Sequence, residues 1–184
     1  MAKISIKTKQ LKILVVITFL IFLLLLIYGI WPKPIYTINY KDTELTFRED
    51  LREASKIPVY PSEEILYHAL INPLVKNVTI VFVPVEGENG IYVVNAWEIV
   101  TKLSLAYKQI GIKPSFNGLN VTSYENIELY GKIQNPYIVL VHPRYANETS
   151  LRLKDHTIFI SGKSNKELDL ATIKLLIIAL KIKI

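Results

Sequence analysis

The sequence predicts an α/β domain with a mixed, partly parallel sheet flanked by helices, preceded by an N-terminal transmembrane helix. Apolar, β-branched runs near 78–84, 137–142 and 157–161 read as strands. They are separated or followed by segments whose apolar residues recur at helical spacing, the alternation that builds parallel sheets. Residues 13–31, ILVVITFLIFLLLLIYGIW, carry no charge, and about 20 apolar residues suffice to cross a hydrocarbon core as a helix.

Lys3, Lys7, Lys9 and Lys12 precede the apolar run, and Tyr28 and Trp31 lie near its far end, where rings favour the headgroup level. A cleaved signal peptide has a shorter apolar core and a small-residue site; Tyr28-Gly29-Ile30-Trp31-Pro32 offers none. The chain therefore divides into a basic cytoplasmic tail (1–12), a signal-anchor helix (13–31), a stalk or edge-strand region (32–50) and an extracytoplasmic α/β domain (51–184). That division implies a single-pass protein of the cytoplasmic membrane, with its N-terminus inside and the lipid bilayer and a membrane or envelope protein as partners. Sequons at Asn77, Asn120 and Asn147 agree with exposure outside the cell.

After Pro32 the chain holds 14 Lys and 4 Arg against 16 acids, a near-neutral +2. A nucleic-acid partner is not expected, because its footprint concentrates basic residues on one face. The absence of Cys excludes disulfides and thiolate metal sites.

Along the domain, residues 36–47 alternate as an edge strand or small hairpin, and 51–54 suit a helical turn. Ser62 caps a helix carrying Ile65, Leu66, Ala69 and Leu70 until Pro73. Asn77 to Val85 is a buried strand, and 91–94, IYVV, follows a polar turn as a further strand. Asn95 with Glu98 forms a capping box for a helix that places Trp97 and Tyr107 on its core side and stops at Gly111. Residues 112–122 form a connection with a short extended piece. Thr122 with Glu125 opens a short helix toward Tyr130. Residues 136–141 make the next strand, closed by His142-Pro143, and a hairpin or bulge about Lys154 to His156 leads into 157–161. Ser164 with Glu167 caps a last helix whose Lys174, Lys181 and Lys183 are spaced for solvent. Strands apolar for most of their length suit a sheet covered by helices on both faces.

Chemistry is sparse. Gly162-Lys163-Ser164 follows a strand as the end of a phosphate loop does, but the position of the first Gly is Thr157, inside the strand, so nucleotide is not expected. Only His68, His142 and His156 are present, with no pair at i, i+4, so neither a metal site nor a cofactor is expected. Gly87 and Gly90 do not form a dinucleotide fingerprint. Asp42, Glu44, Glu49, Asp50 and Glu53 lack the spacing of a calcium loop and read as a solvated face. His142, Asp155, His156 and Ser161 fall at strand ends and are the candidate catalytic set for a hydrolase. The sequence reading is thus a membrane-anchored extracytoplasmic accessory or binding protein of an envelope or membrane assembly, with a membrane-tethered extracellular hydrolase as the alternative.

Overall fold

The computed structural model describes residues 36–125 and 127–184. Strands β1 (Tyr36–Tyr40) and β2 (Thr43–Phe47) form an antiparallel hairpin. Helix α1 (Leu51–Ser55), strand β3 (Val59–Tyr60), helix α2 (Glu63–Leu70), strand β4 (Asn77–Phe82), helix α3 (Gly90–Gln109) and strand β5 (Ser115–Asn120) follow. Strands β6 (Tyr137–Val141), β7 (Ser150–Lys154) and β8 (Thr157–Ser161) lead into helix α4 (Asn165–Leu180). The main sheet has the order β3-β7-β8-β6-β4-β5. All neighbours pair in parallel except β7 and β8, which form a hairpin. The mixed, partly parallel sheet expected from the sequence is present.

The expected transmembrane helix is corrected. Among the described residues no helix is long and apolar enough to cross a membrane, and the stretch 13–31 lies outside them. Helix α3 has the length, at 20 residues, but carries Glu98, Lys102 and Lys108; α4 has 16 residues. The single-pass topology, the signal anchor, the bilayer as a partner and the cytoplasmic-membrane location lose their structural footing with that helix.

Handedness explains how the sheet is covered. The crossover β4-α3-β5 moves outward to the edge strand, whereas β5 to β6 returns past β4 in the opposite direction. Parallel crossovers are right-handed, so the two connections occupy opposite faces. On the α3 face, all four helices and the inward residues Val78, Ile80, Ile138, Leu140, Leu151, Ile158 and Ile160 form one core. On the other face the described residues of the returning segment 121–136 contain no helix beyond a 3₁₀ turn, Ile127–Tyr130, and the segment seats Ile127 and Tyr124 against Val81, Val139 and Val141. The expectation of helices on both faces is thus wrong: a sixteen-residue strap stands where the second helical layer was expected, and it covers β4 and β6 but not β7.

Helix α4 is buried from Leu168 to Leu180, as a helix apolar on all sides must be. It packs on β7 and β8 and is enclosed by α1, α2 and α3. Lys174, expected in solvent, is 3% exposed; its ammonium donates to Ser55 O (2.7 Å) and Glu63 Oε1 (2.5 Å), partners that sequence spacing could not reveal. The hairpin β1–β2 lies over the α3–α4 pair: the Tyr40 hydroxyl donates to Leu180 O at 2.8 Å, and Lys102 sits 4.6 Å above the Phe47 ring.

Three local readings also change. Residues 91–94 are the first turn of α3, where Tyr92 is buried and donates to Val83 O (2.8 Å). Asn95 is interior to the helix rather than its cap; its amide donates to Asp169 Oδ1 (2.8 Å) on α4. Trp97, expected in the core, is 66% exposed, while Tyr107 is buried as expected.

Candidate functional site

The uncovered part of the sheet is a groove of about 920 Å³. Cross-strand partners share a face, so Ser150, Arg152 and Lys154 of β7 project beside Ser161, Phe159 and Thr157 of β8. Tyr60, paired with Arg152, borders the floor on the β3 side. One wall is the strap, through Tyr124 and Glu128; the end wall is the loop Tyr145 to Glu148. Gly131 makes the strap's close return possible, since a Cβ there would lie 2.4 Å from Thr157 Oγ1 and 2.7 Å from His156 O.

Charges line both ends. Arg152 donates to Glu148 (2.7 Å) and its guanidinium lies 5.5 Å from the Tyr60 ring centroid. Lys154 donates to Glu128 at 2.5 Å. The Ser150 hydroxyl, with Arg152, holds Glu148 below the usual carboxylate range, and Lys154 does the same for Glu128. Between the pairs the floor is Phe159, half-buried, flanked by the exposed rings of Tyr60 and Tyr145.

In α/β sheets ligands commonly lie beyond the carboxyl ends of the strands, where the connections diverge. That point falls here between β4 and β6, and it is filled. The Tyr124 hydroxyl donates to Leu140 O (2.9 Å) and accepts from His142 N (3.2 Å) and Val83 N (3.4 Å), stitching the diverging strands together. His142, 2% exposed, accepts the Arg144 N–H at Nδ1 (3.2 Å), which leaves Nε2 as the protonated nitrogen. Nε2 lies 3.2 Å from Glu88 Oε2, without hydrogen-bond alignment. Burial holds His142 below its ordinary pKa; Glu88 opposes this and Arg144 reinforces it. A neutral imidazole whose lone pair already accepts a backbone N–H is poorly placed to serve as a general base.

The four candidate catalytic residues are not brought together. Ser161 is the register partner at the carboxyl end of β8 for Val141, so it shares the groove face; the ring of His142, one residue on, lies 5.7 Å from that of Tyr92 of α3, inclined at 60°. Asp155 and His156 form the β7–β8 turn at the opposite end of β8, roughly 17 Å from Ser161 by strand rise. Asp155 adopts φ 52°, a conformation Asp tolerates in turns. The hydrolase alternative loses its site, and the membrane-anchored accessory reading loses its anchor among the described residues.

The remaining motifs resolve locally. A Cβ on Gly162 would lie 2.2 Å from Leu168 N, so this glycine lets α4 approach the end of β8. Ser164 accepts from Glu167 N (3.2 Å) as the helix cap. Among the described residues no group of three or more His, Asp and Glu side chains is placed to hold a metal ion. Asn120 and Asn147 are exposed, whereas Asn77 is half-buried in β4 and bonded to Ser115. The groove went unread in the sequence because its floor is the outward half of β7, read only as an arm of a hairpin, and of β8, read only as an apolar strand; the alternation Ser150, Arg152, Lys154 was its one visible signal.

Fold and groove together define a two-layer α/β domain whose second sheet face is half open. Comparison with protein-family models, curated proteins and solved structures finds no match to the chain.

Proposed function

We propose that the domain is a recognition module that holds an extended polypeptide segment in the groove over β7 and β8. The observation that carries this reading is the bare strip of sheet with an aromatic centre and an ion pair at each end. A five-residue strand runs about 17 Å, so the floor matches some five residues of extended chain, whose side chains would alternately meet Phe159 and the charged rims. Open, elongated grooves suit a chain; small ligands favour deeper sites that enclose most of their surface. Arg152 and Lys154 are exposed enough to exchange an intramolecular carboxylate for one on the ligand.

The test is selection of displayed random peptides on the full chain, followed by affinity measurement with Arg152→Ala and Phe159→Ala. A recurring sequence with acidic residues flanking an apolar one, weakened at least tenfold by either substitution, supports the reading. Selection that yields no recurring sequence, or peptides bound equally by both variants, defeats it.

A further inference from the structure

The two edges of the main sheet are treated differently. At one edge β3 has two residues and lies between Pro58 and Pro61, devices that blunt an edge against pairing. At the other, β5 pairs with β4 over six residues, Ser115 to Asn120, and among the described residues no strand pairs with its outer side. From Ser115 through Ser123 there is no charge and no proline. Leu119 is 39% exposed there, and a Cβ on Gly118 would meet nothing within 4 Å.

Helix α3 adds a second surface at the same edge. Asn95 turns toward α4, and Ile99, Leu103 and Tyr107 are buried in the core. The flank away from α4, at Val93, Trp97, Val100 and Ser104, follows i, i+4, i+7, i+11 and faces the β5 side. Val93 is 68% and Trp97 66% exposed. The hydroxyls on or beside this flank already have partners: Ser104 donates to Val100 O (2.6 Å) and Thr101 to Trp97 O (2.8 Å). Burying them would strand no polar group.

The geometry points to a two-fold homodimer in which β5 pairs antiparallel with β5 of a second copy and the two α3 flanks meet above the joined sheet. A second copy fits because a two-fold contact sets like against like, and an uncharged strand meets its own copy without repulsion. Tyr107 packs near Phe116 at the start of β5, with ring centroids 6.3 Å apart. The strand midpoint lies about 5 Å further on, about three helical residues back from Tyr107. The axis therefore passes close to Ser104, a small side chain at the point of nearest helix approach. Six paired residues alone fall short of the roughly 800 Å² per partner of a stable interface; the flank from Trp97 to Ser104, which the axis brings against its copy, adds to them.

The chain has no Cys, so a single introduced cysteine can form a disulfide only with its copy. Of Asn117→Cys and Gly118→Cys, made in the full chain and mildly oxidised, the one on the axis should give a species of twice 21.1 kDa and its neighbour much less, whereas Tyr60→Cys at the blunted edge should give none. Sedimentation of the unsubstituted chain should show a dimer. Trp97→Lys with Leu119→Lys should weaken it at least tenfold, with an unchanged circular dichroism spectrum showing that the fold is kept. A monomer at the highest concentration reached overturns the proposal. So does equal crosslinking at position 60, or a dimer indifferent to both lysines.

Discussion

The helix-covered face and the groove face belong to the same strands, and residues alternate between them one by one. Ile158 and Ile160 are sealed beneath α4, while Phe159 between them is half-exposed in the groove. On the first face even charged groups are committed to structure: Asn95 and Arg48 both bond Asp169, and Lys102 bonds Glu98 beneath the hairpin. On the second, the charges sit at the rim in exposed pairs. The difference teaches that a strand's apolar character records how many of its faces are covered, and that the covering layer is decided by the length of a connection elsewhere in the chain.

Substitutions should separate the faces by size of effect. Leu176→Ala opens a cavity in the enclosed helix and should cost about 3 kcal/mol in denaturant unfolding. Phe159→Ala, half-exposed, should cost about 1 kcal/mol; equal losses would break the contrast. Asp169→Ala removes the acceptor shared by Arg48 and Asn95 and should cost about 2 kcal/mol, checked by the same unfolding curves.

Tyr107→Phe deletes a hydrogen bond to Leu70 O (2.8 Å) and should cost about 1 kcal/mol at neutral pH. Burial raises the Tyr107 pKa above its ordinary 10. The phenol therefore resists ionising in the folded state while the unfolded chain ionises first, so its contribution is complete below pH 10 and lost as pH rises above it. Thermal midpoints at alkaline pH should fall less steeply in the variant. The smallest effect belongs to His142. Its folded pKa lies below the ordinary 6.5, so the unfolded chain takes up the proton first. Stability should hold above about pH 6.5 and decline as pH falls toward the folded value; His142→Gln should flatten that limb. An unchanged acid limb would remove His142 from the account.

Much of the covered face was legible in the sequence. The strands at 77–82, 137–141 and 157–161 and the caps at Ser62 and Ser164 coincide with their signals, because local spacing and burial agree there. Asn95 and the run 91–94 misled for a physical reason. An Asn three residues before a Glu fits a cap, yet here its amide is needed by a carboxylate 74 residues away, and β-branched residues suit a helix once Tyr92 can bury its ring against the sheet. The strand β5 was read only as a short extended piece, since its exposed Asn and Gly residues carry no alternation. The groove required knowing that the described residues of 121–136 form no α-helix, a negative fact about one segment that determines the exposure of another.

The enclosure of α4 has a consequence for the order in which the domain is made. Strands β7 and β8 leave the ribosome before the helix that packs on them, so Leu151, Ile158 and Ile160 wait in water until residues 165–180 emerge. Vectorial synthesis thus cannot complete this fold from its N-terminal side. Completion of the domain is in effect a late event, and any interruption of translation before α4 releases a chain whose β7 and β8 have no roof.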